Sequence, residues 1–525
     1  MPGPRARLLV SGDLHLGRYP SRVPPGDPAL GVDAVARALV DQAVERAVDA
    51  VVLTGDVADE ANKYFEAYGV LERMLHRLVG AGIPVFAVAG NHDHDVLASV
   101  ADAVGEGVRV LGRGQTWEAA TLTAGGRDLV RVVGWSYAGP HVHGSPLDTW
   151  PGATGDVPTV GVVHGDLDAP GSPYAPVALA DLRASGASAW LLGHVHAPGV
   201  AAGGDGGGPL VLYPGSPQPL DPGEPGPHGA WVVEVADDGT ASAEMLPLAT
   251  VRYDTVAVEL AGAATAADVR ERVAVALREY GASARETSPG LRRAVVRVAL
   301  RGRTAAYRDV EAVAAELAAS GETTAGGLAV TLDGVDDRAR PALDLARLAR
   351  GSGPVATLAG LAGRLEAGAP SEGDLGLIRR AAEALQQARR ARVFEPLAQH
   401  ERLEPDLQAE AVRRLRRQTY RLLDQALAQA PSDHAAPGDP VVEPGGDGVA
   451  SADPSLAAPR PSPARPSDVD APLVQVPDVV GLTGDAPLAD VEGGTVPHSA
   501  PPAPASAAPD GPAGPPAVPT PPPTA

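Results

Sequence analysis

From Arg7 onward, short apolar runs take turns with longer amphipathic stretches. Arg7–Ser11 (RLLVS), Asp49–Thr54 (DAVVLT), Ile83–Ala89, Val157–Val163 and Ala189–Leu192 have the length and composition of buried strands. Between the first three lie Val35–Val48 and Glu66–Val79, where apolar residues recur at helical spacing and Leu71, Leu75 and Leu78 share one side. The alternation predicts a layered α/β domain with mostly buried strands.

The chemistry lies in how the runs end. They are followed in turn by Gly12-Asp13-Leu14-His15, Gly55-Asp56, Gly90-Asn91-His92-Asp93, His164-Gly165-Asp166 and Gly193-His194-Val195-His196. Sites of open α/β sheets form beyond the carboxyl ends of strands, so these five loops are expected to converge. Glycine lets the backbone turn sharply and approach closely there. In Asp13-x-His15 and His194-x-His196, residues two apart in extended chain share a face and can present two donors together. Asp13, His15, Asp56, Asn91, His164, His194 and His196 supply oxygen and nitrogen but no sulfur, a set suited to Mn, Fe, Zn or similar divalent ions. Seven donors exceed what one tetrahedral ion takes and suit two ions sharing a carboxylate, which together activate a water for attack on phosphorus.

Composition narrows the setting. The 525 residues allow two or three domains, and the absence of cysteine excludes disulfides, thiolate metal sites and cysteine nucleophiles. No apolar run approaches the ~20 residues of a membrane helix. The start, MPGPRARLLVSGDLH, enters a strand-like run almost at once, and the expectation is a cytoplasmic protein. The formal net charge is −22, of which the segment from Pro431, with 12 acidic residues and two arginines, carries −10. Neither that segment nor the remainder has the basic footprint of a general nucleic-acid binder. The same segment holds 24 of the 53 prolines and is expected to be a disordered tail, either merely solvated or serving recruitment.

The five motifs, D-x-H, G-D, G-N-H-[DE], H-G-[DH] and G-H-x-H, resemble the calcineurin-like metallophosphoesterase superfamily over roughly residues 7–235. The resemblance implies a two-sheet β-sandwich flanked by helices, with a catalytic domain over 1–245. It implies that Asp13, His15, Asp56 and His196 hold one divalent ion, and that Asp56, Asn91, His164 and His194 hold the other, Asp56 bridging. Mn²⁺ is the expected ion. His92 would then face the scissile phosphate and protonate the leaving oxygen, with Asp93 orienting it.

Within the superfamily, protein phosphatases carry an arginine after the Gly-Asp motif, whereas Gly55–Ala61 here reads GDVADEA. Ser11–Arg18 (SGDLHLGR), the region Gly55–Leu78 and Leu212–Val235 are instead similar to the SbcD-type DNA repair exonucleases, and most of all to their YhaO-like branch. That branch implies a nuclease acting on DNA with an SbcC-like ATPase bound through C-terminal helices; a homodimer is compatible with it. Some relatives have a second active-site histidine where Asp59 stands, so Asp59 is read as a turn or capping residue. The competing reading is an esterase acting on nucleotides or other small phosphoesters.

After Val235 the texture changes. Val251–Leu260 alternates, Ala266–Tyr280 has helical spacing and Ala294–Leu300 reads as a strand, predicting a small α/β capping domain over 250–340. Residues 371–430 read as arginine-rich helices with Leu407, Ala411, Leu415, Leu422 and Ala426 on one stripe. Three readings stand for them: an amphipathic helix packed on its own chain, a docking element for the ATPase, and phosphate binding by the arginines. Arg18 and Arg22 are candidate phosphate contacts, and His141-x-His143 reads as an irregular Gly/Pro loop.

Overall fold

A computed structural model describes residues 5–59, 66–203, 207–389 and 407–429. The expected tail over 431–525 and the middle of the 371–430 region lie outside them. One six-stranded sheet runs in the order β12 (Ala241–Pro247), β11 (Gly229–Val235), β1 (Ala6–Ser11), β2 (Ala50–Leu53), β3 (Val85–Ala87), β4 (Val108–Val110). The second runs β5 (Trp117–Ala124), β6 (Arg127–Trp135), β7 (Thr159–His164), β8 (Ala189–Gly193), β10 (Leu210–Tyr213), β9 (Gly199–Ala202). The fold is thus mixed α/β, with two sheets flanked by helices.

The apolar runs are continuous because both faces of their strands are covered. Leu8 and Val10 of β1, Val52 of β2 and Phe86 of β3 turn inward against Val130, Val132, Val160, Val162, Leu191 and Leu212 of the second sheet. Leu9, Val51 and Leu53 turn outward beneath the helices α1 (Val32–Glu45) and α2 (Glu66–Gly80), meeting Ala36, Leu39, Leu71, Leu75 and Leu78. Each such side chain contributes roughly 1.5–3 kcal/mol when fully buried. On the far side of the second sheet, Trp190 packs with Trp135, Val163 and Leu192. β1, β2 and β3 are parallel, as are β7 and β8, so the five motif-bearing ends fall at one edge of the sandwich.

Residues 251–341 form a separate four-stranded sheet, ordered β13 (Val251–Glu259), β14 (Arg293–Thr304), β16 (Leu328–Pro341), β15 (Glu322–Ala325). Two helices, Ala266–Thr287 and Tyr307–Ser320, share its core through Val269, Val273, Leu277, Val310 and Val313. The first begins in a capping box made by Thr265 and Asp268.

Further on, helix Leu407–Gln429 lies against helix Gly353–Glu366, burying Ala411, Tyr420 and Leu423 against Ala359, Ala362 and Leu365. Its inner face differs from the expected stripe: Leu422 is 44% exposed, whereas Leu423 beside it is fully buried. Arginines occupy the outer surface, where Arg417 pairs with Asp337 at 2.8 Å and Arg413 and Arg414 with Glu410 at 2.8 and 2.7 Å. Arg416 makes no ion pair among the described residues. No helix among the described residues is long and apolar enough to cross a membrane.

Candidate metal centre

The loop after β1 folds back on the loop after β2. Asp13 N donates to Gly55 O at 2.9 Å and His15 N to Asp56 O at 3.0 Å. Asp13, His15, Asp56 and His194 all hold left-handed backbone, with φ of 49°, 48°, 49° and 93°. Such conformations are costly outside glycine and persist where the surroundings over-determine them. Close approach explains two glycines. At Gly55, itself at φ 100°, a Cβ would lie 2.7 Å from His164 Nδ1, and at Gly193 a Cβ would lie 2.1 Å from Thr54 O.

The loops bring the expected donors together in two groups. Asp13, His15 and His196 form one; Asp56, His164 and His194 form the other, with all candidate ligand atoms of a group within 4.8 Å of one another. Asn91 joins the second, its Oδ1 lying 3.1 Å from His164 Nε2. The groups touch: His194 N donates to Asp13 Oδ1 at 3.0 Å, and the rings of His164 and His194 are 5.2 Å apart.

Each of the four imidazoles has one nitrogen turned to an oxygen. His15 Nδ1 faces Asp59 at 3.5 Å, His164 Nδ1 faces Thr54 O at 3.0 Å, His194 Nε2 faces Asp166 at 3.5 Å and His196 Nδ1 faces Glu224 at 2.8 Å. A proton on Nδ1 of His196 leaves its Nε2 lone pair free to ligate. His15 Nε2 and His196 Nε2 face each other 3.1 Å apart, near enough to share a proton or to ligate one cation. Asp13 and Asp56 are buried, and neither meets an arginine or lysine among the described residues. Buried carboxylates gathered with imidazoles, and with no arginine or lysine beside them, fit divalent metal ions.

With no cation in place, the acids and imidazoles of the site perturb one another. Burial pushes the Asp13 carboxyl up. For Asp56, burial also pushes upward, but the adjacent His164 outweighs it and holds the group below the usual carboxylate range. His164 is driven down by burial yet raised to about 9 by Asp56. Burial and His164 lower His194 to about 4, which keeps its lone pair free at neutral pH.

His92 lies beside the first group, its ring edge-on to His15 at 5.1 Å, and its amide donates to Asp56 Oδ1 at 2.8 Å. His92 and His15 also share a donor cluster with Asp59. Asp59 is therefore part of the site's surroundings rather than only a turn residue, and Arg18 stands 3.7 Å from it. Asp93 is buried, and its two oxygens accept from Gly90 N at 2.8 Å and Val57 N at 2.7 Å, fixing the backbone that carries His92. Burial raises its carboxyl to about 6.

Arg22 is turned away to an ion pair with Asp333. His141 stacks on Tyr174 at 5.7 Å, and Tyr174 on His194 at 4.6 Å. Glu224, Asp166, Thr54 and Tyr174 were not singled out from sequence as partners of the site. Asp166 stands within the His164-Gly165-Asp166 motif and Thr54 just before Gly55-Asp56, but Glu224 and Tyr174 belong to no strand-end motif, so only the folded loops reveal them.

Residues 6–198 match the family of calcineurin-like phosphoesterases. The similarity to that family is confined to this segment, which is less than half of the chain. All seven donors above fall within the matched range. Among curated proteins, the chain is 30% identical over 229 residues to the uncharacterized metallophosphoesterase YhaO of Bacillus subtilis, covering 43% of this chain and 55% of YhaO. It is 37% identical over 89 residues to the DNA double-strand break repair protein Mre11 of Methanosarcina mazei, covering 17% of this chain and 14% of Mre11. The chain thus spans about half the length of YhaO and far less of Mre11. A dimetal phosphatase structure from Danio rerio is 15% identical over 44% of this chain and 93% of that one, with a TM-score of 0.29. The calcineurin-like phosphoesterase YfkN from Bacillus subtilis is 14% identical over 53% and 99%, with the same TM-score of 0.29.

Proposed function

We propose that the protein hydrolyses phosphodiester bonds of DNA with two divalent ions, as an SbcD-type nuclease of DNA repair or processing. The observation that carries the hydrolytic part is the pair of touching donor groups with His92 beside them. Asp13, His15, Asp56 and His196 would hold one ion and Asp56, Asn91, His164 and His194 the other, Mn²⁺ being the expected metal. Ions so held would supply a water of lowered pKa, from 15.7 toward about 7, and positive charge for a phosphate.

The protein's own groups do the rest. His92 is anchored through its amide, and its imidazole would stabilise the phosphate and give a proton to the leaving oxygen. Asp93 keeps that loop in place from beneath. Arg18, with its side chain 44% exposed beside Asp59, is a candidate phosphate contact at the rim.

Support for DNA comes from the likeness to Mre11 and from the α/β unit over 251–341, which sits on the loops around the site and in this reading caps it. The C-terminal helices are the proposed seat of an SbcC-like ATPase, and the compartment is the cytoplasm; a homodimer fits the same reading. The net charge of −22 favours the second reading, an esterase for nucleotides or other small phosphoesters. Duplex DNA, single-stranded DNA, bis-p-nitrophenyl phosphate and cyclic nucleotides assayed with Mn²⁺ separate the two. Degradation of DNA is expected; hydrolysis of small esters alone, even with the ATPase added, would establish the second reading instead.

A further inference from the structure

Glu224 is a largely buried carboxylate, its side chain 12% exposed, with three partners. Oε1 faces His196 Nδ1 at 2.8 Å, and Oε2 accepts from Ser216 Oγ at 2.8 Å and from Leu220 N at 3.0 Å. It belongs to the loop Pro214–His228, between β10 and β11, whose amide at Ser216 also donates to His196 O at 3.0 Å. The loop thus grips His196 by both its backbone and its ring.

The other side of the loop is fastened to the α/β unit. The Tyr253 hydroxyl of β13 donates to Leu220 O at 3.2 Å and to Ser21 O at 2.7 Å, and Gly226 N donates to Tyr253 O at 3.0 Å. Buried Gln218 accepts from Thr250 N at 2.9 Å and donates to Val251 O at 3.3 Å. Leu220 is the common link, since its carbonyl meets Tyr253 and its amide meets Glu224. Leu30, Val251, Tyr253 and Val295 close the same junction with apolar contact.

We infer that Glu224 is a positioning residue for His196, and that the seating of the α/β unit on this loop sets the affinity of one metal ion. A carboxylate on the far nitrogen of a metal-binding imidazole fixes its tautomer and ring angle and raises its basicity. Apolar packing alone would not require a buried charge here, because an ion pair in the interior offsets little more than its own desolvation. The connection to Tyr253 means that a shift of the α/β unit, as on binding a long substrate, is transmitted to His196. This inference rests on the two-metal reading.

The test is calorimetric titration of the full chain with Mn²⁺ alone. The wild-type chain is expected to bind two ions; fewer would overturn the two-metal reading itself, a separate failure. Glu224→Gln keeps the shape and removes the charge, and is expected to weaken one ion ~10–100-fold while leaving the other within about threefold. Tyr253→Phe is expected to weaken the same ion several-fold, and the double variant to be no weaker than Glu224→Gln. Wild-type binding in Glu224→Gln overturns the positioning role; wild-type binding in Tyr253→Phe, or losses that simply add, overturn the link to the α/β unit. Should Glu224→Gln fail to fold, Ser216→Ala removes one of the three groups on the carboxylate, and unchanged Mn²⁺ binding there overturns the role equally.

Discussion

The backbone amide of His92 donates to Asp56 Oδ1 at 2.8 Å, joining the loop that carries the proposed acid to the carboxylate proposed to bridge the metals. The bond comes from the main chain, so it survives any change of the His92 side chain. Asp93 holds the same loop through Gly90 N and Val57 N.

From that arrangement, His92→Ala is expected to bind two metal ions as the wild type does and to lose roughly 10²–10⁴-fold in turnover, the range of general acid–base catalysis. Paired Mn²⁺ titration and bis-p-nitrophenyl phosphate hydrolysis check it. Unchanged hydrolysis would remove His92 from the mechanism.

Gly193→Ala tests how tightly the loops are wedged together. Its Cβ would lie 2.1 Å from Thr54 O and 2.6 Å from His164 Nδ1, so backbone must move. Overpacking of this kind costs about 1–3 kcal/mol, and the loss is expected in chelator-treated protein by urea unfolding, because it arises without any metal. A wild-type midpoint would mean the loops are looser than this geometry.

The site's donors were legible because each stands where an apolar run stops, and burial of both strand faces makes such runs conspicuous in Leu8–Val10 or Val51–Leu53. Strands exposed on one face were less so: β5 and β12, whose residues alternate between exposed and buried, were not found. Glu224 acts through space from a loop whose path no local pattern encodes. Helix Leu407–Gln429 shows the limit of periodicity. Its stripe was placed through Leu422, but Tyr420 and Leu423 supply the buried face, since the neighbouring helix decides which side is covered.

That difference makes adjacent leucines a sharp comparison. Leu423→Ala empties a fully buried position and is expected to cost about 2–5 kcal/mol, whereas Leu422→Ala, at 44% exposure, should stay within about 0.5 kcal/mol. Denaturant unfolding of the two variants decides it, and equal losses would sink the register. In the docking reading, Leu422→Asp should also abolish co-purification with the ATPase while leaving small-ester hydrolysis intact.

His228 ties the Glu224 loop to pH. It is buried, its Nδ1 faces Ser216 O at 2.7 Å, and its Nε2 has no hydrogen-bond partner. Burial holds its pKa below the ordinary 6.5. A proton is therefore taken up more readily by the unfolded chain than by the folded one. The sign follows: the contribution of neutral His228 is whole above the unfolded pKa and is lost as pH falls through that value toward the folded one. His228→Asn keeps a side-chain donor for Ser216 O without titrating in this window. Urea midpoints of chelator-treated protein, measured from about pH 8 down to about pH 5, should fall less steeply in the variant than in the wild type. Parallel slopes would show that His228 is not a source of the acid sensitivity.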